Sequence, residues 1–245
     1  MNLDIFGWVV IAFCAVMVGT TKTGMPGLGI LIVPLMALVV PARQSTGILL
    51  GILILGDLFA VVYHRHNARW GHVLRLLPAA FAGIVAGYFG LSYVNDKQLK
   101  PIIGVIVLVL LGVNYWRNRA KSEDTPVPTQ LGFAIVLGFM AGVTTMMANA
   151  AGPIMIIYLL AMRLPKVEFV GTGVWFFFVV NWLKVPFSAS LDLMTAESVK
   201  LNLMMLPFIA VGAVAGIFLL KHIPQKAFNI IVQILAAAAA IKLLF

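Results

Sequence analysis

Hydrophobic residues fill this chain in long blocks, and polar residues come between them in short runs. Read against those breaks, the apolar segments are 4–18, 28–40, 44–63, 73–93, 99–116, 130–143, 151–162, 167–187, 200–220 and 226–245. A helix that crosses a bilayer needs roughly 20 apolar residues. The third, fourth, eighth, ninth and tenth segments supply them. The first and second segments are short and joined by a polar, glycine-rich break, and so are the sixth and seventh. These two pairs predict helical hairpins interrupted by irregular backbone.

The pattern also repeats. "LLPAAFAGIVAGYF" at 76–89 aligns with "MLPFIAVGAVAGIF" at 205–218 and keeps Pro78/Pro207, Gly83/Gly212, Ala86/Ala215 and Gly87/Gly216 in register. Upstream, at an offset of 124, Thr20 and Thr21 meet Thr144 and Thr145, Pro41 meets Pro165, Gly47 meets Gly171 and Asp57 meets Asn181. Shared apolar composition alone would not hold prolines and glycines in line over such a length, so the halves read as a duplication. Each half holds a hairpin and three spanning helices. That is an odd number of crossings whether or not the hairpin crosses, so the second half is inverted relative to the first. The expected fold is an all-α integral membrane protein of two inverted repeats, residues 1–120 and 130–245. The linker "KSEDTPVPT" at 121–129 is a solvated tether within one membrane domain.

Composition agrees: 62% of the 245 residues are hydrophobic and 10% charged, against about 25% charged in soluble domains. The net charge of +9 does not point to nucleic acid, because no Lys/Arg cluster is interleaved with aromatics. In a membrane protein a basic excess marks cytoplasmic loops. With 64–72 in the cytoplasm, that side holds Arg65, Arg69, Arg75, Arg117, Arg119, Lys121, Arg163, Lys166, Lys221 and Lys226. The other side holds Arg43, Lys97, Lys100, Lys200 and Lys242. This bias puts both termini outside. The N-terminus has Asp4 as its only charge and no A-x-A site, so it reads as a retained helix rather than a cleaved signal. Cys14 is the lone cysteine and fits a small buried hydrophobe; neither a disulfide nor a metal or cofactor framework is expected.

The candidate chemistry sits in the two breaks. "GTTKTGMPGLG" at 19–29 brings Thr20, Thr21, Lys22, Thr23, Gly24, Pro26 and Gly27; "TTMMANAAGP" at 144–153 brings Thr144, Thr145, Asn149, Gly152 and Pro153. Irregular backbone at membrane depth is tolerated only where protein or a water-filled cavity satisfies it. Paired breaks in inverted repeats line substrate sites, with helix N-termini facing anionic groups. Hydroxyls, an amide and backbone N–H groups beside one lysine suit an oxyanion. The plainer alternative is a surface turn with Lys22 snorkelling to the headgroups.

Asp57 lies within a spanning helix, where a carboxylate is expensive unless paired, protonated or facing water. It reads as a proton carrier or as a counter-ion to Lys22, the alternative being a structural acid near its helix end. Its repeat partner Asn181 joins the candidate site, and the repeat partner of Lys22 is Met146. Lys184, near the outer end of its helix, is expected to snorkel. His64, His66 and His72 are expected to be solvated, and Trp175 with Phe176, Phe177 and Phe178 to face lipid or core. The G-x-x-x-G pairs Gly83/Gly87 and Gly212/Gly216 predict close helix packing, within the monomer or across a homodimer. Asp57 is the only deep acid and no histidine lies at membrane depth, so an intramembrane enzyme is not expected.

The Thr/Lys/Gly break leading into "GLGILIVPLMAL", then "STGILLGILILGDLFAVVYHRHNARWGHVLRLLPAAFAGIVAGYF", resembles the TauE/SafE sulfite-exporter family of permeases. "GFMAGVTTMMANAAGPIMIIYLLAM" into "GTGVWFFFVVNWLKVPF" is similar to that family's second repeat. The resemblance implies a bacterial inner-membrane permease for sulfite or small organosulfur anions such as sulfonates or sulfoacetate, coupled to protons; alternating access would come from one inverted repeat rocking against the other. It also implies that the turns at Gly24, Gly27, Gly29 and Gly152-Pro153 form the substrate pathway. Many members carry G-x-G-G-G in the first turn where this chain has "TGMPGLG", so side chains replace part of a glycine cradle. The competing readings are a non-transporting membrane scaffold subunit and a transporter of a different small ion.

Overall fold

The apolar blocks fold as helices, and the first departure from expectation is where the first block stops. The computed structural model describes residues 3–24, 29–119, 131–222, 234, 237–238 and 240–244. Helix α1 (Ile5–Thr23), capped by the Asp4 carboxylate on Gly7 N–H at 2.7 Å, runs on through Thr20, Thr21, Lys22 and Thr23. The threonines do not end it because their hydroxyls bond to carbonyls one turn back: Thr20 to Val16 at 3.0 Å, Thr21 to Met17 at 2.6 Å and Thr23 to Gly19 at 3.1 Å. Helix α6 (Leu131–Ala148) extends past the expected end in the same way, with Thr144 bonded to the Met140 carbonyl at 2.8 Å.

The second break is thereby shortened to residues 149–151. Asn149 takes a left-handed φ of 53°, and its N–H bonds to the Thr145 carbonyl at 3.0 Å, closing α6. Pro26 and Gly27 lie outside the described residues, as do the 121–129 linker and most of the 226–245 segment.

The remaining helices are α2 (Gly29–Val39), α3 (Ala42–His64), α4 (Trp70–Ser92), α5 (Asp96–Arg119), α7 (Gly152–Ala161), α8 (Lys166–Ser190), α9 (Ala196–Met204) and α10 (Leu206–His222). Among the described residues, α1, α3, α4, α6 and α8 are long and apolar enough to cross a membrane, and α9 with α10, bent by 46°, is long and apolar enough only when the two are taken together. The bend has a local cause. Pro207 in the first turn of α10 brings no N–H to continue the α9 ladder. Its sequence counterpart Pro78 sits inside an unbroken α4. Helices α2 and α7, at 11 and 10 residues, are too short to span.

Packing pairs α1 with α10 and α4 with α6, while α3 lies against α8. Glycines set the first two contacts. A Cβ on Gly19 would collide with the Ile209 carbonyl, on Gly212 with the Val16 carbonyl, on Gly83 with the Phe139 carbonyl and on Gly142 with the Ala80 carbonyl. Backbone therefore meets backbone, and the G-x-x-x-G spacing serves helix packing inside the monomer. Across α1 and α10 the buried Thr20 and Thr23 hydroxyls also reach the Gly212 and Ala213 carbonyls at 3.1 and 2.8 Å. Two further glycines meet backbone near the α3–α8 contact: Gly47 on α3 faces the Leu193 carbonyl, and Gly171 on α8 faces the Asn67 carbonyl.

Gly19→Leu and Gly142→Leu should each lower stability by about 3 kcal/mol or more, because a side chain cannot displace neighbouring backbone. Gly112→Ala, where an added Cβ meets nothing within 4 Å, should leave it unchanged or raised. Thermal unfolding in detergent checks both; equal melting of all three variants would contradict the packing argument.

Candidate functional site

Extending α1 by one turn places Lys22 against the middle of the bundle. Its side chain is 9% exposed, and Nζ lies 2.6 Å from Oδ1 of Asp57, a fully buried carboxylate on α3. Nζ also sits over the Phe177 ring, 4.7 Å from its centroid. Lys22 is therefore neither at a surface turn nor snorkelling. The second oxygen of Asp57 accepts from Asn181 Nδ2 on α8 at 2.7 Å. Asp57 thus has a charge on one oxygen and an amide on the other, the pairing a buried carboxylate requires.

The polar chain continues to a residue that was expected to snorkel. Lys184 is fully buried, and Nζ donates to Asn149 Oδ1 at 2.5 Å, Thr145 Oγ1 at 3.1 Å and Asn181 Oδ1 at 3.3 Å. It turns inward because Phe177, Asn181 and Lys184 fall at i, i+4 and i+7 on one face of α8, and that face meets α3. This spacing was the signal available in the sequence; nearness to the helix end concealed it. The Asn149 amide is fixed in turn by donating from Nδ2 to the Thr46 carbonyl at 3.0 Å.

A cavity of about 110 Å³ lies beside this cluster, lined by Thr21 and Lys22 from α1, Gly29, Ile30 and Ile32 from α2, and Thr145, Asn149, Gly152 and Pro153 from the α6–α7 junction. Phe177 and Asn181 from α8 join them, and apolar side chains including Leu53, Ile156 and Val174 complete it. The structure brings together Thr21, Lys22, Thr145, Asn149, Gly152, Pro153 and Asn181 from the expected set. Asp57 touches the cluster from behind Lys22. Thr20 and Thr23 face α10 rather than the cavity. Gly24 lies against the Gly216 carbonyl, and Thr144 is turned back onto its own helix.

The aromatic run divides: Phe176 is core, Phe177 belongs to the site, and Trp175 packs on Trp70 with ring centroids 4.9 Å apart. Two of the three histidines expected in solvent are not there. His64, at the end of α3, is buried beside the Thr23 carbonyl at 3.5 Å, and the half-buried His72 on α4 meets the Tyr158 hydroxyl at 3.0 Å; His66 is exposed. At the mouth of the α3–α4 loop, Arg69 makes a two-pronged bond with Glu168 at 2.6 and 2.7 Å, which raises the guanidinium pKa further. Its N–H bonds to Thr172 Oγ1 at 3.0 Å.

A protein-family model described as "Sulfite exporter TauE/SafE" matches residues 11–243. The chain belongs to the TauE/SafE family. No curated protein and no solved structure matched it. TauE/SafE proteins are transporters, so the chain is a multi-pass membrane protein of a sulfite-exporter family. In this TauE/SafE chain the cluster of Lys22, Asp57, Asn181 and Lys184 is the principal concentration of buried charge among the described residues.

Leaving one charge of a buried pair alone costs about 3–5 kcal/mol. Lys22→Met and Asp57→Asn should each destabilise the protein, and the double variant should cost less than the sum of the two. A double-mutant cycle by chemical or thermal unfolding in detergent measures the coupling. Strict additivity would mean that the two groups do not support each other.

Proposed function

We propose that this protein is a secondary transporter that moves sulfite or small organosulfur anions across a bacterial inner membrane, coupled to protons. The observation that carries the reading is the cavity between the two helix breaks, with Lys22 on its wall. Membership of a sulfite-exporter family supports the same substrate class.

The residues suggest how an anion and a proton would be linked. With Asp57 ionised, its carboxylate occupies the Lys22 ammonium. A proton on Asp57 removes that competitor, and Lys22, with the Thr145 hydroxyl and the Asn149 amide around it, becomes available to an oxyanion. Loss of the proton restores the Lys22–Asp57 pair and lowers the net charge of the site by one, which weakens its hold on the anion. The apolar remainder of the wall offers nothing to a hydrated cation.

The transport cycle we infer is alternating access by two inverted repeats, residues 1–120 and 130–245, around this site. Its support is the sequence repeat together with the crossed packing of α1 on α10 and α4 on α6. Asp57 and Asn181, equivalent at the offset of 124, hydrogen-bond to each other, as equivalent residues near a two-fold axis would. With the basic 64–72 loop in the cytoplasm, both termini are outside.

Sulfite, thiosulfate, sulfoacetate, taurine and sulfate should be screened for thermal stabilisation of the detergent-purified protein and its Lys22→Ala variant. At a hundredfold Kd a ligand adds about 2.7 kcal/mol. One sulfur anion is expected to stabilise the wild type and not the variant. A flat response of the wild type to the whole panel, or an identical response of both proteins, would sink the proposal.

A further inference from the structure

We infer that Lys184, which does not line the cavity, is the specificity-determining cation of the site and sets the charge of the anion it accepts. This inference rests on the reading of the cavity as an anion site.

Three observations lead to it. The first is a count of charge. Two lysines and one carboxylate are buried together, and Asp57 lies in contact with Lys22. The charge of Lys22 is answered by that contact. Lys184 reaches Asp57 only through the Asn181 amide, so its charge has no contacting counter-ion among the described residues. One positive charge is left over in a low-dielectric setting, where an uncompensated charge is costly. A single monoanion in the cavity supplies what is missing.

The second is the matching of donors and acceptors. An ammonium has three N–H donors and no acceptor, and Lys184 meets three oxygens. Two of those cannot turn round, because the Asn149 and Asn181 Nδ2 groups are engaged by the Thr46 carbonyl and the Asp57 carboxylate.

The third is what this does to the wall. All three partners of Lys184 line the cavity. Each has its oxygen drawn towards Lys184, where it would otherwise repel an anion. The Thr145 hydroxyl, accepting from Lys184, keeps its own proton free to donate. Lys184 is thus a positioning residue that turns a ring of neutral amides and a hydroxyl into an anion-accepting surface.

The neighbours bear on any charge-based test. Facing Lys184 from other helices are Lys22 of α1 and Asp57 of α3. Helix α4 brings Tyr88 against Phe187, α7 carries Tyr158, which is engaged by His72, and α6 contributes no titratable group from its packed turn.

The test compares three ligands of similar shape on the purified full chain: methanesulfonate (a monoanion), sulfate (a dianion) and dimethyl sulfone (the neutral analogue). Binding is followed by calorimetry or thermal shift for the wild type, Lys184→Met, Asp57→Asn and the double variant. The wild type should prefer methanesulfonate. Lys184→Met should weaken methanesulfonate by about tenfold or more and leave the sulfone unchanged. Asp57→Asn raises the net charge by one and should move the preference towards sulfate by about tenfold. The double variant should return to the wild-type preference.

A purely structural Lys184 would weaken all three ligands alike, and that result overturns the inference. So does an unchanged methanesulfonate-to-sulfate ratio in Asp57→Asn, a variant that decides the matter even if Lys184→Met does not fold. A wild type that binds neither anion removes the anion-site reading itself, a different result from binding without charge selectivity.

Discussion

A carboxylate with no water around it must find its counter-charge inside the protein, and the centre of this bundle is arranged about that requirement. Asp57 is fully buried. Its needs fix the reach of α1, which must extend far enough to deliver Lys22, and the rotation of α8, which must present Asn181. Lys184 follows from that rotation, since the face that carries Asn181 carries it too. Thr145 and Asn149 then follow from Lys184, whose ammonium needs three acceptors. The cavity is what remains between these commitments and the short helices α2 and α7.

Much of this was legible in the sequence. The apolar blocks marked the helices. A lysine in one break and an acid in a spanning segment marked the polar centre. The errors share one cause, which is that apolar surroundings keep polar residues helical. Thr20, Thr21 and Thr23 look like a break when polarity alone is read, but a hydroxyl that bonds to its own helix costs the helix little. Hence α1 reached Thr23, and the residues that seemed to line a loop became helix. Lys184 was misplaced for the complementary reason: distance from a helix end says how far a lysine can reach, and only the opposing face says which way it points. That face belongs to other helices: Thr145 and Asn149 lie 39 and 35 positions away in the chain, and Asp57 lies 124 positions from Asn181.

The halves are alike in packing and unlike in chemistry. Glycines set close helix contacts in both halves, yet at the offset of 124 Lys22 answers to Met146 and Asp57 to Asn181. One half supplies the ion pair, and the other supplies amides and a lysine without a contacting acid. Straight α4 and bent α9–α10 differ as well, although each carries its proline at the matching place. The polar centre thus depends on positions at which the two halves of the chain differ.

The glycine contacts carry a mechanical consequence. Where backbone rests on backbone, as between α1 and α10 and between α4 and α6, no layer of side chains is left to slide or repack, so each pair behaves as a welded block. Helix α3 packs on α1 and α10 of the first block, α8 packs on α4 of the second, and the blocks meet along the α3–α8 contact, where polar bonds run from Asn181 to Asp57 and, beside it, from Asn149 to Thr46. Lys22 and Asp57 ride together on one side of that contact, and Lys184 with its three oxygens rides on the other, so parting the neutral pair from the surplus charge would have to break these two hydrogen bonds, the Lys22–Phe177 contact and the α3–α8 packing while every weld stays closed.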